Sequence, residues 1–174
     1  MKTNLSPVSS ANEIFIQYKG LADKAMKQLT DDEFFRSPGP ESNSIPVIIR
    51  HLTGNMLSRW TDFITSDGEK SWRNRDAEFE EESWSREEYL NYWEKGWNCL
   101  FSSLGLLSDA DLSKIVQIRN EPHSVLEAIN RQIAHYAYHI GQIVYVAKMF
   151  KSNDWQTLTI AKNRSKEFNT KHGM

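Results

Sequence analysis

Apolar side chains recur along most of this chain at alternating steps of three and four, the spacing that gives a helix one dry face and one wet face. Ile14, Tyr18, Leu21, Ala25 and Leu29 predict a first helix over about residues 10–29. Ser37-Pro38-Gly39-Pro40 stops any continuation and predicts a loop. Ile45, Ile48, Leu52, Met56, Trp60 and Phe63 predict a second helix over about 45–64, where Pro46 suits a first turn. Leu90, Trp93, Trp97, Leu100, Leu104 and Leu107 predict a third, opened by Ser85-Arg86-Glu87-Glu88, which has the form of a capping box. Leu126, Ile129, Ile133, Tyr136, Ile140, Ile143 and Ala147 predict a fourth, from about Pro122 to Lys151.

The segments between are polar. A long one, residues 66–85, holds the turn signal Asp67-Gly68 and then a charged stretch. Residues 114–119 alternate weakly and suggest a short extended piece. The tail beyond residue 152 carries Trp155, Leu158, Ile160 and Phe168, and is expected to dock in part and fray at its end. No repeat, linker or convincing sheet is visible. The expectation is one domain over 1–174, with a core over about 10–151 and a tail over 152–174. Its fold class is all-α, a four-helix bundle with a long loop between the second and third helices.

Composition narrows the function. A chain of 174 residues can bury a substantial core. Its 21 basic and 23 acidic side chains give a net charge of −2, against a general nucleic-acid partner. The single cysteine, Cys99, allows no intrachain disulfide. Residues 1–12 are too polar for a signal peptide, and no apolar run nears the ~20 residues of a spanning helix. No membrane and a cytoplasmic location are expected. Six tryptophans need a core or a partner surface to cover them.

The candidate chemistry lies in the histidines. His135 and His139 are four apart, so on a helix their imidazoles stack one above the other and can converge on one ion. At ~100° per residue the pair sits roughly 120° from the centre of the fourth helix's apolar stripe, at its edge, which suits the mouth of a cleft. His51 falls on the polar side of the second helix, in line with Asn55, Ser58 and Asp62. The two polar faces could meet across a groove. Spacing alone is weak evidence, because a solvated pair is the commoner outcome. The protease form His-Glu-x-x-His is absent, since Tyr136 stands in the Glu position, and so is the repeated Glu-x-x-His of di-iron bundles.

With these features in place, the chain resembles the DinB/YfiT-like superfamily of bacterial four-helix-bundle proteins over roughly residues 10–170. The likeness is greatest to a branch with a stretch like Thr65-Ser66-Asp67-Gly68-Glu69-Lys70-Ser71-Trp72-Arg73-Asn74-Arg75-Asp76. In that superfamily one histidine comes early in the second helix and two more, four apart, come from the last long helix. Arg50-His51-Leu52 and His135 with His139 match those positions. The resemblance implies a divalent metal (zinc, nickel, iron or manganese) on His51, His135 and His139. Imidazole ligands alone do not choose among these ions. It also implies a metal-dependent enzyme of thiol S-transferase or hydrolase type acting on a small-molecule substrate, with a low-molecular-weight thiol as one candidate, and a homodimer. Membership does not fix a reaction, and the catalytic residues stay unassigned. Two alternatives stand beside this: a non-catalytic, metal-stabilised dimeric binding or stress-response protein, and a ligand-binding bundle without metal.

Other polar residues have plainer readings. Asn55, Gln132 and Gln142 lie near the candidate ligands and could orient them, although surface polarity is the simpler expectation. Asp67, Glu69, Asp76 and Glu78 read as a solvated loop. Arg73 and Arg75 beside Trp72 could clamp an anionic substrate, or pin the long loop to the bundle or to a second subunit. Cys99, His123 and His172 read as incidental to function, Cys99 as a packing residue.

Overall fold

In a computed structural model, residues 5–80 and 82–171 are described. Among them the expected bundle is present. Its long helices are α1 (Pro7–Met26), α3 (Ile45–Trp60), α4 (Arg86–Gly105) and α5 (Val125–Lys151). Two short helices, α2 (Asp31–Phe35) and α6 (Ser165–Lys171), and one hairpin, β1 (Ile115–Ile118) with β2 (Glu121–Ser124), complete it. α3 packs most extensively on α4 and α1 on α5, and α3 also meets α5. No helix among the described residues is long and apolar enough to cross a membrane.

Local chemistry sets where each helix starts. Ser6 caps α1 ahead of Pro7, so the helix begins before the expected residue 10. Capping boxes open α4, through Ser85 and Glu88, and α5, through Ser124 and Glu127. The second start differs from the expected Pro122. Pro122 and His123 lie in β2, opposite Gln117 and Val116 of β1. The hairpin turns on Arg119 and Asn120, both with left-handed backbone (φ 58° and 61°), the two-residue turn that matches strand twist. The extended piece expected at 114–119 is therefore one strand of a pair; the partner strand was masked by the apolar repeat that follows it.

α3 stops at Trp60 rather than residue 64: the chain turns extended at Thr61 (φ −68°, ψ 125°) and left-handed at Asp62 (φ 49°). Phe63 still packs on Trp60, with ring centroids 4.8 Å apart. Every residue of α3 except Leu57 is buried, including Arg50, His51, Thr53, Asn55, Ser58 and Arg59. Such a helix needs a polar cover as well as an apolar core. At Gly96 of α4 a Cβ would come within 3.1 Å of the Thr53 Cα, so this glycine sets how closely α4 approaches α3. Phe15, Trp60, Trp97 and Tyr136 form the aromatic centre, joined edge to face.

The long loop, residues 61–85, supplies the polar cover. Ser58 Oγ donates to the Gly68 carbonyl at 2.7 Å, and Arg59 donates to the same carbonyl. Arg50 donates to the Glu80 carbonyl and pairs with Glu82 at 3.1 Å. The Gly68 N–H donates to the Gln117 carbonyl at 2.8 Å, and the Arg119 and Asn120 N–H groups donate to Asp67. The loop is thus fastened to α3 on one side and to the hairpin on the other. In the tail, Trp155 and Leu158 pack on the core while Ile160 and Phe168 stay exposed. Residues 172–174, the expected frayed end with His172, lie outside the described residues.

Candidate metal centre

His51 projects from the second turn of α3, and His135 and His139 from consecutive turns of α5. Their rings form a triangle with centroids 4.8–5.4 Å apart. One ring nitrogen from each lies within 4.8 Å of the others, and among the described residues this is the one such group of three. The polar face of α3 and the edge of α5 do meet. The faces are drier than their sequence suggests, since His51 and His139 are buried and His135 is half-buried. The cause is the loop, which closes over α3.

Outer contacts decide which nitrogen of each ring is free. His51 Nδ1 lies 2.9 Å from Glu78 Oε2, and a carboxylate can only accept there, so the proton sits on Nδ1 and the lone pair on Nε2. His139 Nδ1 lies 2.7 Å from Gln142 Oε1, which fixes that ring in the same way. His51 Nε2 then faces His135 Nε2 at 3.3 Å. Two imidazole nitrogens held tetrahedrally by an ion at about 2.0–2.1 Å would be about 3.3 Å apart, so the pair fits a shared cation. Burial first, then the neighbouring His139 and His51 rings and the Arg73 and Arg59 guanidiniums, pushes His135 down to about 3. Burial, partly offset by the Gln142 hydrogen bond, pushes His139 down to about 4. Near neutral pH both rings are therefore uncharged, the form that coordinates metal.

Glu78 is the residue that the sequence reading misplaced. It is not part of a solvated acidic loop. Its side chain is 8% exposed, and Arg73, 2% exposed, binds it through Nε at 2.7 Å and Nη2 at 2.9 Å. A short 3₁₀ turn over Asp76–Phe79 carries Glu78 under α3. Gly54 leaves room for it there, since a Cβ at that position would lie 2.1 Å from Glu78 Oε1. Phe79 covers one face of the His51 ring, with centroids 4.9 Å apart. Glu69 is likewise occupied, pairing with Arg59, Arg73 and Arg119. Burial raises its carboxyl pKa, but the Arg119, Arg59 and Arg73 guanidiniums outweigh that and hold it below the usual range. Asp76 is exposed, as expected of a loop carboxylate.

The supporting polar residues divide. Gln142 touches a candidate ligand directly. Asn55 does not: its Oδ1 accepts from the Tyr136 hydroxyl at 3.1 Å, and that hydroxyl accepts from Trp60 Nε1 at 3.1 Å. Asn55 therefore acts on the rotation of α5 beside His135 and not on an imidazole. Gln132 is buried, not part of the surface, and its Oε1 has no partner. Arg73 and Arg75 also part company, one buried in the Glu78 pair and the other exposed above the Phe79 ring. Trp72 is 59% exposed. Cys99 packs against the core, and His123 sits in β2 away from the triad. Beside the histidines lies a cleft of about 330 Å³, lined by His51, His135, Asn55, Gln132 and five arginines. Nothing in the apolar periodicity pointed to Arg59, Arg119 or Arg131 as its walls.

Comparison with known proteins agrees with this fold. The chain is similar to a DinB-like protein from Bacillus cereus whose crystal structure superposes with a TM-score of 0.55 at 16% identity, covering 78% of this chain and 90% of that one. No curated protein matches the sequence. Residues 4–164 match the family model described as "Protein of unknown function (DUF1572)". With that match over nearly the whole chain, the protein belongs to the DUF1572 family, and its four long helices share the fold of the DinB-like protein.

Proposed function

We propose that this protein is a metal-dependent enzyme acting on a small molecule, by thiol transfer or hydrolysis, with His51, His135 and His139 as the ligands of one divalent ion. The observation that carries the reading is the convergence of three ring nitrogens, two of them with the opposite nitrogen held by Glu78 and Gln142. Structural metal sites are usually closed by four protein ligands, whereas a set of three leaves a position for chemistry. A zinc, nickel, iron or manganese ion there would supply Lewis acidity and lower the pKa of a water or a thiol toward neutrality.

The chain's own residues have definite tasks in this reading. Glu78 holds the His51 proton on Nδ1 and fixes the ring plane. Arg73 holds Glu78. Phe79 keeps water off one face of His51. Burial keeps His135 and His139 uncharged. A homodimer and a cytoplasmic location belong to the same proposal. Exposed Ile16 on α1 and Tyr138, Tyr145 and Met149 on α5 offer apolar surface that a second copy could cover.

Elemental analysis of untagged protein, purified without chelators or nickel columns, tests the site. About one equivalent of metal is expected in the wild type and loss of it in His51→Ala, His135→Ala and His139→Ala. No metal in the wild type after reconstitution at neutral pH would overturn the reading. Sedimentation of the same sample tests the dimer.

A further inference from the structure

Five guanidiniums, those of Arg59, Arg73, Arg75, Arg119 and Arg131, line the cleft that His51 and His135 also line. They come from α3, the long loop, the hairpin turn and α5, so four separate pieces of chain deliver positive charge to one place. Like charges do not gather this way without a counter-charge, and the protein supplies only part of one. Glu69 pairs with Arg59, Arg73 and Arg119, and Glu78 pairs with Arg73. With Asp67 beside Arg59 and Arg119, five positive charges against three negative leave an excess of two, in a chain whose net charge is −2.

The uncompensated charge is localised. Among the described residues neither Arg75 nor Arg131 has an ion-pair partner; Arg75 is braced over the Phe79 ring at 5.1 Å. Both are exposed at the cleft and free to fork around an oxyanion. Deeper in, Gln132 is 3% exposed with its Oε1 unpartnered, and the buried Arg59 Nε also lacks a partner. Neither atom is open to solvent, so the two form a polar floor beneath the exposed arginines and are not themselves ligand contacts.

We propose that the cleft binds a small molecule through an anionic oxyacid group, a carboxylate or a phosphate, gripped by Arg75 and Arg131. The inference rests on the metal-enzyme reading for its second half, that the other end of this molecule lies against His51 and His135. A volume of about 330 Å³ is at the small end for ligand pockets and suits a small molecule. Arg59, Arg73 and Arg119 are already engaged with carboxylates and set the field. Arg75 and Arg131 make the contact.

Titration calorimetry with inorganic phosphate and with malonate tests this, with glycerol as the uncharged control. The proteins are wild type, Arg75→Gln/Arg131→Gln and the remote control Arg164→Gln, each with its metal content measured. Saturable binding of at least one anion is expected in wild type and Arg164→Gln, weakened tenfold or more in the double variant, with glycerol silent. Preference for phosphate or malonate tells which oxyacid the substrate carries. Neither anion binding, or equal binding by the double variant with helicity intact, overturns the proposal. The two readings fail separately. Arginine-dependent anion binding in protein that takes up no metal would sink the metal enzyme alone, and a full equivalent of metal without such binding would sink the anion grip alone.

Discussion

Glu78 Oε2 accepts the Nδ1 proton of His51 at 2.9 Å from 27 residues further along the chain, so a loop carboxylate sets the tautomer of a helix imidazole. Partners of this type typically change metal affinity 10–100-fold. Glu78→Gln keeps the shape and removes the charge. It should weaken zinc binding by roughly that factor, measured by competition with a chromophoric chelator. Unchanged affinity would remove Glu78 from the site.

Arg73 and Glu78 form a buried pair, and removing one partner of such a pair typically costs about 3–5 kcal/mol. Arg73→Met should lower the urea-unfolding free energy by an amount of that order. Glu78→Gln should cost less, because an amide still accepts from the guanidinium. Equal stabilities for Arg73→Met and wild type would show that the loop does not depend on this pair.

Gly54→Ala would set a Cβ against the Glu78 carboxylate. Overpacking of this kind costs about 1–3 kcal/mol. The penalty should largely vanish when Gly54→Ala is made in a Glu78→Ala background, since the two residues share one space. A full double-mutant cycle by chemical denaturation measures the coupling, and additive effects would contradict it.

Acid should destabilise the metal-free protein through the same histidines. Burial, foremost, pushes His135 down to about 3 and His139 down to about 4, against 6.5 for a free imidazole. Between those values the unfolded chain binds more protons than the folded one, so stability falls as pH falls. The contribution is fully present above about pH 6.5 and is lost progressively as pH drops toward 4 and 3. Denaturation curves of chelator-treated protein at pH 7 and pH 5 should differ more for wild type than for His135→Gln/His139→Gln. An equal difference would place the acid sensitivity elsewhere.

Tyr136→Phe would leave Trp60 Nε1 and Asn55 Oδ1 buried without their common partner. Each buried group left unsatisfied typically costs about 1–3 kcal/mol. A fall in thermal midpoint with retained helicity is expected, and no fall would mean that water replaces the hydroxyl.

The bundle was legible because each long helix repeats its apolar residues over several turns, and Ser85 and Ser124 stand three residues before Glu88 and Glu127. His135 and His139 were legible for the same reason, since four residues on a helix is a fixed geometry. His51 was assigned by resemblance and its burial was not foreseen. Periodicity reports what one helix needs and says nothing of a loop that returns to cover its polar face. Glu78 and Arg73 therefore read as solvated or ambiguous, although each is buried only because the other is there. Arg119 was hidden for a related reason: its position depends on a two-residue turn whose second strand, containing Pro122, carries no alternation.

That turn separates the cleft's entrance from the histidines at its base. The histidines stand on long packed helices, whereas Arg119 stands at the tip of a hairpin. Lengthening both strands by two residues would preserve the face each side chain presents and carry the tip roughly 7 Å outward. Arg119 would then leave Asp67 and Glu69, so hairpin length sets the shape of the cleft entrance while the three imidazoles keep their places on α3 and α5.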